Sequence, residues 1–529
     1  MLAITLGRPG GDASHLLDVA LVAYHLGGTS SFYRLMGRCS RKLTPAFRHY
    51  PHISSAPDTC ETMLFNSLPF LLFFTVVFLA YWLLPAGLRQ GLLLVASLFF
   101  YCMWIPQYVL LLLAILAVNY VLLLGILRSS RPRLYLVTSI IVSLATLGYF
   151  KYAGFAVESF NVMRELTGAA PARVPDVLLP LGISFFTFQI IGLAVDAYRN
   201  RGVVAATFSE YVLFISFFPH QIAGPILRGW NLLPQFRSAT TLTAERAHRA
   251  VWLICGGLIK KVVFGDALLA EYVDRVFGSP GYASGAEHLL AIYSFAFQIY
   301  FDFSGYTDIA RGLALLLGFE LPLNFREPYL SRNPSEFWRR WHITLSEWLR
   351  DYLYIPLGGN RTSRGRAYAN LLMTMVLGGI WHGAGWNFLI WGAIHGMLLV
   401  IHRAVSHGHT TVVDKVHLRD VPKIVLLFHA VCIAWVFFRA ATFGDAVRIL
   451  ETVITGPYVG YSAVFQLAVV TLSAALHPVE RYVRTHRTLL RQRLAPAPLA
   501  FAESVMIGAM LGLVAVFAGF GGSFIYFQF

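Results

Sequence analysis

The sequence predicts an all-α, polytopic membrane protein, and three observations carry that prediction. Of its 529 residues 57% are hydrophobic and only 13% are charged, about half the charged share of an ordinary soluble domain. Apolar stretches approaching the ~20 residues needed to cross a hydrocarbon core of ~30 Å recur along the chain. Those stretches are continuously apolar and do not alternate over ten-residue segments, which selects helices over a membrane barrel.

The net charge of +15 has the sign of a nucleic-acid binder. Its Lys and Arg residues, however, fall in short clusters between apolar spans, where they set orientation on an anionic membrane face. The bilayer is therefore the expected partner, and no nucleic acid is. Cys39, Cys60, Cys102, Cys255 and Cys432 show no C-x-x-C spacing, so neither a disulfide framework nor a zinc site is expected.

Residues 1–62 are mixed, polar and aperiodic, and the character changes at Met63. They read as a mis-assigned start or a disordered extension, with residues 63–529 as the membrane domain. Spans follow at 66–84, 90–104, 107–127, 134–150, 178–198, 250–264, 286–302, 424–440, 461–477 and 502–519. Shorter pieces at 210–219, 308–318, 369–380 and 386–402, broken by Gly, Pro or polar residues, read as re-entrant segments buried in the protein. Three basic loops vote together for the cytoplasm: Arg128, Arg131 and Arg133; Arg199 and Arg201; and Arg481, Arg484, Arg487, Arg491 and Arg493. That assignment gives an N-out, C-out protein of the inner (plasma) membrane. No internal repeat supports an inverted-repeat transporter.

Chemistry concentrates in residues 298–402. The segment from Gln298 through Asp302 and Tyr306 to Asp308 puts carboxylates and hydroxyls at membrane depth. Such groups face a cavity or each other; a helix-gluing hydrogen-bond network and a tunnel lining both remain open. The run from Asn333 to Tyr354 opens with a capping-box pattern and Pro at its first helical position. At 100° per residue Trp338, Trp341, Leu345, Leu349 and Tyr352 share one face and Glu336, Arg339, Glu347 and Arg350 the other, the pattern of an interfacial amphipathic helix. His342 lies at the edge of its apolar face, pointing inward, either as a packed core residue or as a functional one.

A Gly-rich turn, Gly358-Gly359-Asn360, ends that helix before Arg361, Arg364 and Arg366. Those arginines suit a phosphate-bearing donor, and the positive-inside rule explains them equally well. Next, Gly378-Gly379-Ile380-Trp381-His382-Gly383-Ala384-Gly385-Trp386-Asn387 sets a histidine between two tryptophans and among glycines. A 12-residue piece ahead of it spans roughly 18 Å and would leave His382 near mid-membrane. An imidazole there suits general-base catalysis on a hydroxyl, with a helix-packing histidine as the alternative.

Gln298 to Gly305, Phe337 to Asn360, Gly378 to Asn387 and the terminal Phe-Ile-Tyr-Phe-Gln-Phe together resemble the membrane-bound O-acyltransferase family, close to its alginate O-acetylation branch, over roughly residues 63–529. The resemblance implies a ring of tilted helices with re-entrant segments around a tunnel that joins a cytoplasmic donor site to an acceptor site on the far side. It implies that His382 assists attack of an acceptor hydroxyl on an acyl thioester and that His342 positions or polarises the donor. Trp341, Trp381, Asn387, Asp302, Tyr306, Arg339 and Arg350 are the accompanying donor or tunnel candidates. By the same resemblance the co-substrate is an acyl thioester, acetyl-CoA foremost, with no bound cofactor or metal, and the acceptor is a polysaccharide or an intermediate carrier protein. A periplasmic acetyltransferase is a compatible partner.

Other chemistry is set aside. His409 to Asp414 fits an H-x-x-x-x-D pattern in a polar loop with no apolar pocket, and the spacing of His402, His407, His409 and His417 fits no zinc pattern. A transporter or scaffold subunit of a polysaccharide export or modification complex is the alternative from another class.

Overall fold

The computed structural model describes residues 63–199, 206–222, 224–238, 241–406, 416–457, 463–493 and 496–520. Residues 1–62, Arg201, His407, the His409–Asp414 motif and the C-terminal 524–529 lie outside the described residues. Every regular element among those described is helical.

The N-terminal helices are α1 (Leu68–Leu83), α2 (Ala86–Cys102), α3 (Gln107–Arg128) and α4 (Pro132–Leu147). Ser67 starts α1 by accepting a hydrogen bond from the Phe70 amide, with Pro69 in the first turn, as side-chain capping and an early proline favour. α4 continues through a π-helical turn, Gly148–Tyr152, into α5 (Ala153–Leu166). α6 (Ile183–Tyr198) and the short α7 (Phe208–Ser216) follow. Nearly every side chain of α7 is buried, as a re-entrant piece requires.

α8 (Gly229–Arg237), α9 (Ala244–Leu258) with a π-helical continuation to Ala270, and α10 (Glu271–Gly278) lead to α11 (Gly285–Leu316). At 32 residues α11 is about 48 Å long. It absorbs both the expected span 286–302 and the expected re-entrant piece 308–318. Gly305 does not break it; instead that glycine lets α9 approach, since a Cβ on Gly305 would sit 2.6 Å from the Gly257 carbonyl oxygen.

The expected amphipathic helix 333–352 is not one helix. α12 (Pro334–Trp338) stops after five residues, His342 takes the left-handed conformation (φ 43°), and α13 (Ile343–Leu349) then begins. Glu336, assigned to the wet face, is 1% exposed because Arg340 and Arg332 bind its carboxylate at 2.9 Å. A charge satisfied inside the protein defeats a wheel that assumes charges seek water.

α14 (Arg364–His382) and α15 (Trp386–Val405) form the best-packed helical pair of the C-terminal half. α15 is continuous over 20 residues and long and apolar enough to cross a membrane, so 386–402 is not a broken piece. α14 runs 19 residues, not 12, so length alone does not leave His382 halfway across. α16 (Val421–Arg439), α17 (Phe443–Thr455), α18 (Ala463–Arg493) and α19 (Pro496–Phe517) complete the unit. The third basic "loop" is the second half of α18, and Arg484 clamps the Glu327 carboxylate at 2.8 and 2.9 Å; packing there replaces the orientation argument.

Five helices among the described residues are long and apolar enough to span a bilayer: Gln107–Arg128, Pro132–Leu166, Trp386–Val405, Leu418–Arg439 and Ala500–Phe517. Leu110, Leu426, Val464 and Phe501 on these and neighbouring helices are each 73–74% exposed. So many large apolar side chains turned outward require a lipid solvent.

Candidate functional site

His382 is the last residue of α14, and its ring is nearly fully buried. Trp381, Trp391 and Phe438 surround it with ring centroids at 4.9, 5.0 and 5.4 Å, and the ring of His342 lies 6.5 Å away. At that separation the two imidazoles cannot bond to each other, but both pack against Trp381, His342 at 6.2 Å, in one aromatic enclosure.

His342 reaches this space because the backbone turns sharply. A β-carbon at positive φ costs of order 1–3 kcal/mol and persists only where surroundings impose it. Here the Ile343 amide donates to the Asn324 carbonyl at 2.9 Å and the Arg326 amide to the Arg340 carbonyl at 2.9 Å, fastening both sides of the turn. The side-chain amide of Asn324 then sets the imidazole. Its oxygen accepts from the Thr344 amide (3.2 Å) and hydroxyl (3.0 Å) and stands 3.2 Å from His342 Nδ1. Because the Thr344 N–H identifies that atom as the oxygen, His342 Nδ1 carries the proton of the neutral ring. Nε2, which has no hydrogen-bond partner among the described residues, is left as the lone-pair nitrogen. Phe303, Phe185 and Trp381 enclose the ring.

The glycines have local reasons. A methyl on Gly379 would overlap the Phe388 carbonyl, and Gly392 lies opposite; α14 and α15 therefore touch backbone to backbone just below His382. On the other flank Lys151 Nζ donates to the carbonyls of Trp381 (2.7 Å) and His382 (2.8 Å), and the Tyr152 hydroxyl donates to that of Ile380 (2.8 Å).

The remaining expected residues divide. Trp381 is in the site, stacked on Phe188 at 5.0 Å with its indole N–H toward the Ser184 carbonyl. Trp341 is a wall one layer out, between Phe325 and Trp435 at 5.0 Å each. Asn387 ties α15 to the end of α16 through the Ala440 carbonyl at 2.9 Å. Asp302 is held by Lys261 at 2.6 Å, in a buried set that includes Asp266, and Tyr306 stacks on Phe65 at 4.4 Å. Arg339 is exposed. Arg350 pairs with Asp351 at 2.7 Å. Asp351 also accepts from the buried Arg228 at 3.1 Å, while Arg199 donates to its carbonyl. Burial pushes the Asp351 carboxyl up, but hydrogen bonds from Arg350 and Arg228 outweigh it and hold it below the usual range. Arg361, Arg364 and Arg366 are exposed.

Sequence reasoning missed Asn324, Lys151, Tyr152 and His395. His395 packs against Trp391 at 4.7 Å and Trp338 at 5.1 Å. A lysine and a histidine inside apolar spans were visible signals for two of them; nothing in the sequence marks Asn324.

The family model of the membrane-bound O-acyltransferases matches residues 199–441. The probable alginate O-acetylase AlgI of Azotobacter vinelandii is 41% identical over 417 residues, 78% of this chain and 80% of that protein. The chain belongs to the membrane-bound O-acyltransferase family. The match encloses the His342 turn, α14 and α15. A second relative, the peptidoglycan O-acetyltransferase of Helicobacter pylori, is 37% identical over 74% of this chain and 79% of its own length. A third, the teichoic acid D-alanyltransferase of Streptococcus thermophilus, is 29% identical over 49% of this chain and 68% of its own. The protein is thus a multi-pass, membrane-embedded O-acyltransferase of the alginate O-acetylation branch.

Proposed function

We propose that the protein transfers an acetyl group from a cytoplasmic thioester, acetyl-CoA foremost, across the inner membrane to a hydroxyl of an exported polysaccharide or of a carrier that passes the group on, with an extracytoplasmic acetyltransferase as a compatible partner. The observation that carries this reading is the pair of buried imidazoles, His382 and His342, 6.5 Å apart in one aromatic enclosure. In this scheme His382 takes the proton of the acceptor hydroxyl as its oxygen attacks the thioester carbonyl. The C–O bond forms, the C–S bond breaks, and the proton passes to the departing thiolate. A positioned base of this kind contributes roughly 10²- to 10⁴-fold. His342, with Nδ1–H held by Asn324 and Nε2 left as a lone pair, positions the donor by accepting from it; polarising the thioester carbonyl would require the other protonation state. Names of the relatives support acetyl as the acyl group and a glycan as the acceptor: two of those reported above are O-acetylating proteins. The N-out, C-out orientation belongs to the same proposal.

The test compares ester-linked acetyl on the exported polysaccharide in cells carrying wild type, His382→Ala or no gene, at matched membrane levels. Loss of acetyl in both defective strains with normal polymer export is expected. Normal acetylation with His382→Ala, or failure of export itself, would transfer support to a conduit or scaffold role.

A further inference from the structure

Lys151 is a cation inside an apolar span that has no carboxylate partner among the described residues. It lies within the 35-residue span Pro132–Leu166, where an ammonium is costly and calls for compensation. Two other lysines among these helices, the buried Lys261 and the partly buried Lys260, are neutralised in the ordinary way: Lys261 by Asp266 and Asp302, Lys260 by Asp308 and Glu480. Lys151 instead spends two donors on the carbonyls of Trp381 and His382. Tyr152 adds a third hydrogen bond, to Ile380.

These three carbonyls belong to the last turn of α14, where a helix leaves its C=O groups without intrahelical partners and carries the negative end of its dipole. Helices commonly close that end with a glycine in the left-handed conformation. α14 does not: Gly383 is extended (φ −157°, ψ 153°) and makes no capping bond. The end of the His382 helix is therefore fastened from outside, by two consecutive side chains of another element. Both side chains lie in the π-helical turn Gly148–Tyr152. A single such turn in an otherwise α-helical span is a feature that commonly marks functional positions.

We infer that Lys151, assisted by Tyr152, is a positioning residue for acyl transfer: it caps the helix that ends in His382 and so fixes where that imidazole stands relative to His342. The inference rests on the role given above to His382. A guanidinium offers forked donors to the same carbonyls, and a thioether of similar length offers none. Lys151→Met therefore lets the last turn fray, Lys151→Arg keeps it closed, and Tyr152→Phe loses one bond of three.

The experiment uses the full-length protein in gene-deleted cells, with ester-linked acetyl on exported polysaccharide measured at matched membrane levels. A second readout is the maleimide labelling rate of Ala384→Cys, placed in each variant after the native cysteines are replaced by serine, together with melting in detergent. Expected is a fall in acetylation of at least tenfold for Lys151→Met, a fall of a few-fold for Tyr152→Phe, and recovery to within a few-fold of wild type for Lys151→Arg. Labelling of the Ala384→Cys thiol should quicken several-fold in Lys151→Met only, with melting within a few degrees of wild type. Wild-type acetylation in Lys151→Met overturns the inference. So does a parallel loss of activity and melting temperature in both Lys151→Met and Lys151→Arg, which marks a merely structural lysine. His382→Ala runs in the same series: if it acetylates normally, the role of His382 falls and this inference with it, whereas an inactive His382→Ala beside a fully active Lys151→Met removes the inference alone.

Discussion

In the proposed mechanism the chemistry depends on where two ring nitrogens point, and one amide oxygen sets that for His342. Replacing Asn324 by Ala removes the acceptor of the Thr344 amide, the Thr344 hydroxyl and His342 Nδ1 at once. Each buried donor left unmade costs about 1–3 kcal/mol, so Asn324→Ala should lower melting measurably and reduce acetyl transfer about tenfold or more. Asn324→Asp, which retains the acceptor atom, should recover part of the activity; equal activity in all three proteins, measured as polysaccharide acetyl, would show that the ring needs no orientation. At this scale the sequence was informative about identity and uninformative about partnership. His382 stood out because glycines and tryptophans flank an ionisable residue in an apolar span, and His342 because it followed a tryptophan on a helical face. Asn324 lies eighteen residues before His342 and meets it through a left-handed turn, which no periodicity announces. Asp302 attracted attention for the right physical reason, a carboxylate at membrane depth, but its counterion Lys261 sits on a different helix and absorbs the charge.

At the level of elements, the site depends on helices that touch without side chains between them. Gly379 faces the Phe388 carbonyl and Gly392 across the α14–α15 contact, so Gly379→Ala must push the pair apart or strain it, at a typical cost of about 1–3 kcal/mol for overpacking. Since α14 ends in His382 three residues later, activity should fall more than melting; wild-type activity in that variant would mean the contact can give. A second prediction concerns acid. Arg237 on α8 binds Glu210, the capping-box residue of α7, at 2.6 and 2.7 Å. Those hydrogen bonds first, and that from the Thr207 amide, hold the carboxyl down to about 2 against burial, which raises it. A lowered folded-state value stabilises above the ordinary carboxyl range and loses that contribution as pH falls from about 4.5 toward 2. The melting temperature of wild type should therefore drop more over that interval than that of Glu210→Gln; parallel curves would sink the assignment. The helix start at Asn333 was legible: its side chain accepts from the Glu336 amide, with Pro334 in the first turn. Helix interruptions were not: the expected span 286–302 and re-entrant piece 308–318 are one helix, α11, where Gly305 serves close packing, and a satisfied Glu336 hid the end of α12. Composition reports what a segment contains, whereas continuity depends on what the neighbouring helix offers.

For the molecule as a whole, α15 is among the described helices long and apolar enough to cross a membrane and α14 is not, so the proposed orientation turns on whether α14 crosses with it. α14 and α15 were expected as re-entrant pieces that enter and leave on one side. If both cross, as a hairpin joined at Gly383–Gly385, they also return the chain to its starting side and the parity downstream is unchanged. The basic residues of α18 lose their force as a loop signal, because Glu327 draws Arg484 and Arg481 inward, yet Arg128, Arg131 and Arg133 still mark the α3–α4 connection. Orientation then becomes a question about surfaces: Ser129 and Ser363 should face the cytoplasm, and Thr167 and the 94% exposed Tyr282 the opposite side. With native cysteines replaced by serine, a membrane-impermeant maleimide applied to intact spheroplasts should label Thr167→Cys and Tyr282→Cys, and should reach Ser129→Cys and Ser363→Cys only after permeabilisation. The reverse pattern would turn the molecule over and place the exposed Arg361, Arg364 and Arg366 outside, away from any cytoplasmic phosphate-bearing donor. A mixed pattern, with Ser129 and Ser363 on opposite sides, would instead mean that an odd number of crossings separates α4 from α14, and the path from donor to His382 would have to be redrawn around the buried segment that had been miscounted.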